Sequence, residues 1–160
     1  MRCTLLILAL VLGPVLYGQS YTAADTESLV ASGTALTVQH SVSSVKNVTS
    51  VQLYVNCHAN ATAACVVFLE RTGTPATATP IVPQPNVSTY VPSEAMAFKN
   101  SDVGVGRVLG PPGGFVIPAG SYLTWSQTDC ALPAGHADSV SLRVAPMTGG
   151  IDLQIKYKEN

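Results

Sequence analysis

His136-Ala137-Asp138 is the spacing in this chain that comes nearest to acid–base chemistry. An imidazole two residues before a carboxylate can act as a general base or supply two metal ligands. The pair sits in a Pro/Gly loop, and neither a G-x-S-x-G elbow nor a second histidine motif accompanies it, so a solvated loop ahead of a strand is the expectation. His40 and His58 stand alone in sequence and define no zinc ligand set. Glu94 with Asp102, or Asp129 with Asp138, are carboxylate pairs that folding would have to bring together for glycoside hydrolysis. No D-x-D-x-D run offers a calcium loop. The spacing of Gly104, Gly106 and Gly110 does not match a dinucleotide fingerprint, and no βαβ pattern surrounds it. No catalytic residue, metal ligand or cofactor is therefore assigned, and a non-enzymatic protein is expected.

Cysteines and asparagines carry more information. Cys57 and Cys65 bracket a short polar loop, and Cys130 lies far downstream. Cys57–Cys65 would staple a hairpin, whereas Cys130 could pair with either across a sandwich; with three cysteines, one sulfur is left over. Asn47-Val48-Thr49, Asn60-Ala61-Thr62 and Asn86-Val87-Ser88 are acceptor patterns for N-linked sugar, taking three of the six asparagines. Among the aromatics, Tyr122 and Trp125 suggest a sugar-stacking platform. Trp125 is the only Trp and borders an apolar run, so a core position is expected for it, and Tyr54 is the better candidate for an outward ring.

These residues belong to an exported chain. Residues 1–20 read as a signal peptide: Arg2, an apolar run over 5–16, and small residues Gly18 and Ser20 where cleavage would fall. That run is too short to span a bilayer. Cys3 would leave with it, as would Arg2, so seven basic residues face nine acidic ones in the mature chain. A surface so nearly neutral offers no footprint for nucleic acid or an anionic membrane. Residues 21–160 suit a single domain with a real core.

The elements that would position the chemistry are strands. Leu36, Val38 and His40 alternate with polar neighbours, as do Val51, Leu53, Val55 and Cys57, and Val140, Leu142 and Val144. The last strand is clearest: Ile151, Leu153, Ile155 and Tyr157 face one way, Asp152, Gln154, Lys156 and Lys158 the other. Residues 51–69 read as a hairpin, and a second is expected around Pro118-Ala119-Gly120. Gly149-Gly150 is expected to turn the chain. Prolines 75, 80, 83, 85 and 92 exclude a central strand from residues 72–92, which suits an extended crossover along an edge, or an O-glycosylated segment. Residues 21–35 are polar and form either an arm or a docked strand. The expected fold is all-β: an antiparallel, jelly-roll-like β-sandwich of about seven to nine short strands. Its strand order is similar to small jelly-roll modules of virion and fibre proteins, a likeness of architecture alone.

The function expected is a secreted, non-enzymatic structural or adhesive module. In a sharper form it self-assembles into an oligomer or filament by donating the 21–35 arm to a neighbour's sheet edge. A carbohydrate- or ligand-binding sandwich is the alternative, with a cell-surface glycan as partner and loops 100–114 and 128–138 as its recognition edge. A small hydrolase using His136 and Asp138 is the weakest.

Overall fold

The computed structural model describes residues 18–30, 34–74, 77–86, 91–102, 106–127 and 132–160. Most of the expected signal segment lies outside these residues, as do Cys130, Asp129 and Ser88. The described chain is twelve strands and no helix: β1 (Gln19–Val30), β2 (Thr34–Gln39), β3 (Val48–Cys57), β4 (Cys65–Thr72), β5 (Thr77–Ile81), β6 (Gln84–Pro85), β7 (Met96–Asp102), β8 (Arg107–Val108), β9 (Phe115–Ile117), β10 (Ser121–Gln127), β11 (Ser139–Val144) and β12 (Met147–Glu159). Nine run five residues or more, which matches the expected number; the other three are short edge pieces.

Two antiparallel sheets pack face to face as a β-sandwich. The five-stranded sheet runs β10-β3-β12-β1-β6; the seven-stranded one runs β5-β7-β2-β11-β4-β8, with β9 also on β4. The alternation read from the sequence makes the core. Val51, Leu53 and Val55 of β3 and Ile151, Leu153, Ile155 and Tyr157 of β12 meet Leu36, Val38, Val67, Leu69, Val140, Leu142 and Val144 from the opposite sheet. Each such side chain contributes about 1.5–3 kcal/mol by leaving water. Tyr21 stacks on Tyr157 with ring centroids 5.6 Å apart.

Both expected hairpins are absent. β3 lies in one sheet and β4 in the other, so residues 51–69 form an arch that crosses the sandwich. Likewise β9 pairs with β4 while β10 pairs with β3, and Pro118-Ala119-Gly120 carries the chain between sheets. Two alternating runs around a short loop look the same in sequence whether they pair with each other or with distant strands. The sulfurs of Cys57 and Cys65 are bonded, so the disulfide joins the two sheets across the mouth of the arch.

Gly149-Gly150 is also no turn: both residues lie inside β12. Gly149 has φ +114°, and a Cβ there would come 2.3 Å from the Ala61 Cα; at Gly150 one would meet the His58 ring. The pair makes room for the arch loop to lie against the strand.

The 21–35 segment resolves in favour of docking over its described part. β1 pairs along almost its whole length with β12, and at Tyr21 and Thr22 with β6. Paired with β12 along nearly all its length, and with β6 at two residues, β1 is docked in its own sheet rather than projecting as a free arm. The proline-rich stretch does follow the edges, as β5 beside β7 and β6 beside β1.

The two outer faces differ. At the centre of the seven-stranded sheet outward residues are themselves buried: Thr37, Thr72, Ser139 and Ser141 form a hydroxyl ladder at 2.8 Å contacts. Beside it Glu70 takes a two-pronged bond from Arg143, at 2.7 and 3.0 Å, and accepts from the Gly106 N–H. On the five-stranded sheet the described outward residues reach solvent.

Candidate binding face

Strand register turns the open face into a grid. Across β10, β3, β12 and β1 the first row reads Tyr122, Asn56, Asp152, Thr26; the second Thr124, Tyr54, Gln154, Ala24; the third Ser126, Gln52, Lys156, Thr22. A fourth row, without β10, holds Ser50, Lys158 and Ser20. From Asn56 to Ser50 the grid extends six residues along β3, roughly 20 Å.

Tyr122 and Tyr54 lie on the diagonal between the first two rows. Their rings stack at 6.1 Å between centroids and 27° between planes, and they are 70% and 37% exposed. Below them an open trough of about 600 Å³ is lined by Gln52, Tyr54, Thr124, Ser126, Gln154 and Lys156, with Leu53 and Trp125. A second hollow of about 230 Å³ shares Gln52 and Lys156 and continues to Ser20, Ser50 and Lys158. The result is one track, aromatic at one end, amide- and hydroxyl-lined in the middle, cationic at the other.

At the aromatic end stands Asp152. Its Oδ2 accepts from Asn56 Nδ2 at 3.0 Å and lies 2.8 Å from His58 Nε2; its Oδ1 accepts from Thr26 Oγ1 at 2.8 Å. Burial pushes the Asp152 carboxyl up, but the bonds from Asn56, His58 and Thr26 outweigh it and hold the group below its ordinary value. His58, isolated in sequence, is thus half of a hydrogen-bonded contact whose partner lies 94 residues away.

The other residues singled out in sequence have different places. Trp125 points to the core side and meets Phe115 edge-on at 5.4 Å, so Tyr122 and Trp125 lie on opposite faces and form no platform. Asp138 bonds Arg71 while His136 is exposed; the two are not assembled into a dyad. Glu94 accepts the Val45 and Lys46 N–H groups and so caps a loop; the side chain of Asp102 is outside the described residues. His40 is buried, its Nδ1 3.5 Å from the Pro133 carbonyl. Of the expected recognition loops, residues 103–105 and 128–131 lie outside the description.

All three sequon asparagines are exposed, and each uses its side-chain carbonyl internally. Asn47 Oδ1 accepts from the Ala134 N–H, Asn60 Oδ1 from the Gly150 N–H, and Asn86 Oδ1 from Thr22 Oγ1, each at 2.9 Å. Their amide nitrogens, the atoms that carry N-linked sugar, make no hydrogen bond among the described residues.

Sequence reasoning found Tyr54 and Tyr122 separately but not as a pair, and it missed Gln52, Gln154, Lys156 and Asp152 as a set. The available signal was the polar phase of β3, β10 and β12. No protein-family model, curated protein or solved structure matches the chain.

Proposed function

We propose that this chain is a secreted, non-enzymatic adhesive module that binds an extended saccharide along the open face of its five-stranded sheet. The observation that carries this reading is the exposed Tyr54–Tyr122 pair at the head of a polar trough. Aromatic faces hold the apolar C–H face of a sugar ring, while amides, hydroxyls and a carboxylate satisfy its hydroxyls. Gln52, Thr124, Ser126, Gln154 and Asp152 supply donors and acceptors in rows along one direction, which suits an oligosaccharide better than a single sugar.

Asp152 suits the binding role. A carboxylate held below its ordinary value by three donors stays ionised near neutrality, where it accepts hydroxyl hydrogen bonds and has no proton to donate. The Cys57–Cys65 bond accords with export. No helix among the described residues is long and apolar enough to cross a membrane.

A panel of soluble plant, microbial and animal oligosaccharides, screened at millimolar concentration, tests the proposal. Binding by the native chain is expected to fall roughly two- to tenfold for Tyr54→Ala or Tyr122→Ala, with the fold intact by circular dichroism. Binding unaffected by both substitutions would place the ligand elsewhere.

A further inference from the structure

Among the described residues the two sheets have four edges, and three of them carry features that disfavour the addition of another strand. β6 is two residues long, contains Pro85 and covers only Tyr21 and Thr22 of β1; beyond them the β1 edge carries Asp25 and Glu27 and a register irregularity between Glu27 and Leu29. β5 carries Pro80 and a register irregularity. The edge beyond β4 is made of β8, two residues with Arg107, and of β9, three residues between Gly114 and Pro118. Short length, proline, charge and bulges are the usual protections of an exposed edge.

β10 has none of them. It is seven residues, Ser-Tyr-Leu-Thr-Trp-Ser-Gln, with no proline, glycine or charge, and it pairs with β3 in unbroken register. β3 is its sole strand partner among the described residues. Leu123 and Trp125, turned to the core side, are only half-covered.

We propose that β10 is the interface of an isologous dimer, pairing antiparallel with β10 of a second copy about an axis at Thr124. The strand is self-complementary about that point. Tyr122 falls opposite Ser126 on the outer face, Leu123 opposite Trp125 on the core side, and Thr124 opposite itself. The axis thus places two Leu–Trp contacts over the apolar surface that one copy leaves half-covered, and a threonine pair at the centre. With no charge on the strand, nothing in it repels a second copy. The product is a continuous ten-stranded sheet whose open faces join, so each tyrosine pair is repeated on the neighbouring subunit. This goes beyond the saccharide reading and stands without it.

The test needs no ligand. Sedimentation of the Cys130→Ser chain, which keeps the Cys57–Cys65 bond and removes the leftover thiol, should show a monomer–dimer equilibrium below about 1 mM. Thr124→Lys, exposed in one copy and set against itself in two, should weaken dimerisation at least tenfold while leaving the melting temperature of dilute monomer unchanged. In the same background, Thr124→Cys should give a disulfide-linked dimer on mild oxidation. Tyr122→Cys should not, because the two copies of residue 122 are offset by four residues, about 14 Å, beyond disulfide reach. A chain monomeric throughout, a dimer indifferent to Thr124→Lys, or equal cross-linking from positions 122 and 124 would each overturn the proposal.

Discussion

Asp152, on β12, gathers side chains from three other places in the chain: Thr26 on β1, Asn56 on β3, and His58 just beyond the disulfide. The sign of its pH effect follows. With the folded carboxyl below its ordinary value, the ionised form favours the fold. That contribution is complete above the unfolded carboxylate range, near pH 4, and disappears as pH falls through the folded value. Asp152→Asn should therefore show a flatter acid limb than the native chain when melting temperature is followed from about pH 5 to pH 2. The group is about a third exposed, so the difference should be modest and should shrink in salt. At this scale the sequence was partly legible. The phase of β3 placed Tyr54 outward, since a period of two fixes which side chains share a face. It could not bring residue 58 to residue 152, because that depends on which strands pair.

Between elements, the arch of β3 and β4 is the feature that most changed. Alternation located both strands, and the cysteine spacing suggested the bond, but a hairpin and an arch share one sequence pattern. What separates them here lies elsewhere: β12 and β10 occupy both edges of β3, leaving no side for β4. The disulfide consequently links sheets rather than neighbouring strands, and it closes a loop spanning eight positions. Chain-entropy estimates for such a loop give about 2–3 kcal/mol. That exceeds the contribution of a partly exposed ion pair such as Arg71–Asp138, which is about 0–1 kcal/mol. Replacing Cys57 and Cys65 together by serine should lower the melting temperature by roughly 5–12 °C, read by calorimetry. No change would mean that β3 and β4 are held in place by their sheets alone. The far end of the molecule has a different fastening. Buried Glu159 accepts from Ser93 Oγ and from the N–H groups of Glu94 and Ala95, tying residues 93–95 to the end of β12. A charged residue in the inward phase of a strand was the signal for it, and only the packing shows what satisfies it.

On the scale of the whole molecule, the two sheets have divided the work. Hydroxyls and an Arg–Glu pair fill the central strands of the seven-stranded sheet's outer face, while the five-stranded sheet keeps its outer face open with stacked tyrosines, amides and lysines. The sandwich itself was readable from alternating β-branched residues and frequent turn signals. The asymmetry was not, because serine and threonine are equally at home on a wet face and in a buried ladder. Binding on the open face is most directly tested by titrating isotope-labelled protein with the best oligosaccharide of the panel and following backbone amide shifts. Shifts concentrated at Gln52, Tyr54, Tyr122, Thr124, Gln154 and Lys156 are the predicted result. Saturable shifts confined to the seven-stranded sheet or to the loops, or no shift with any member of the panel at millimolar concentration, would contradict it.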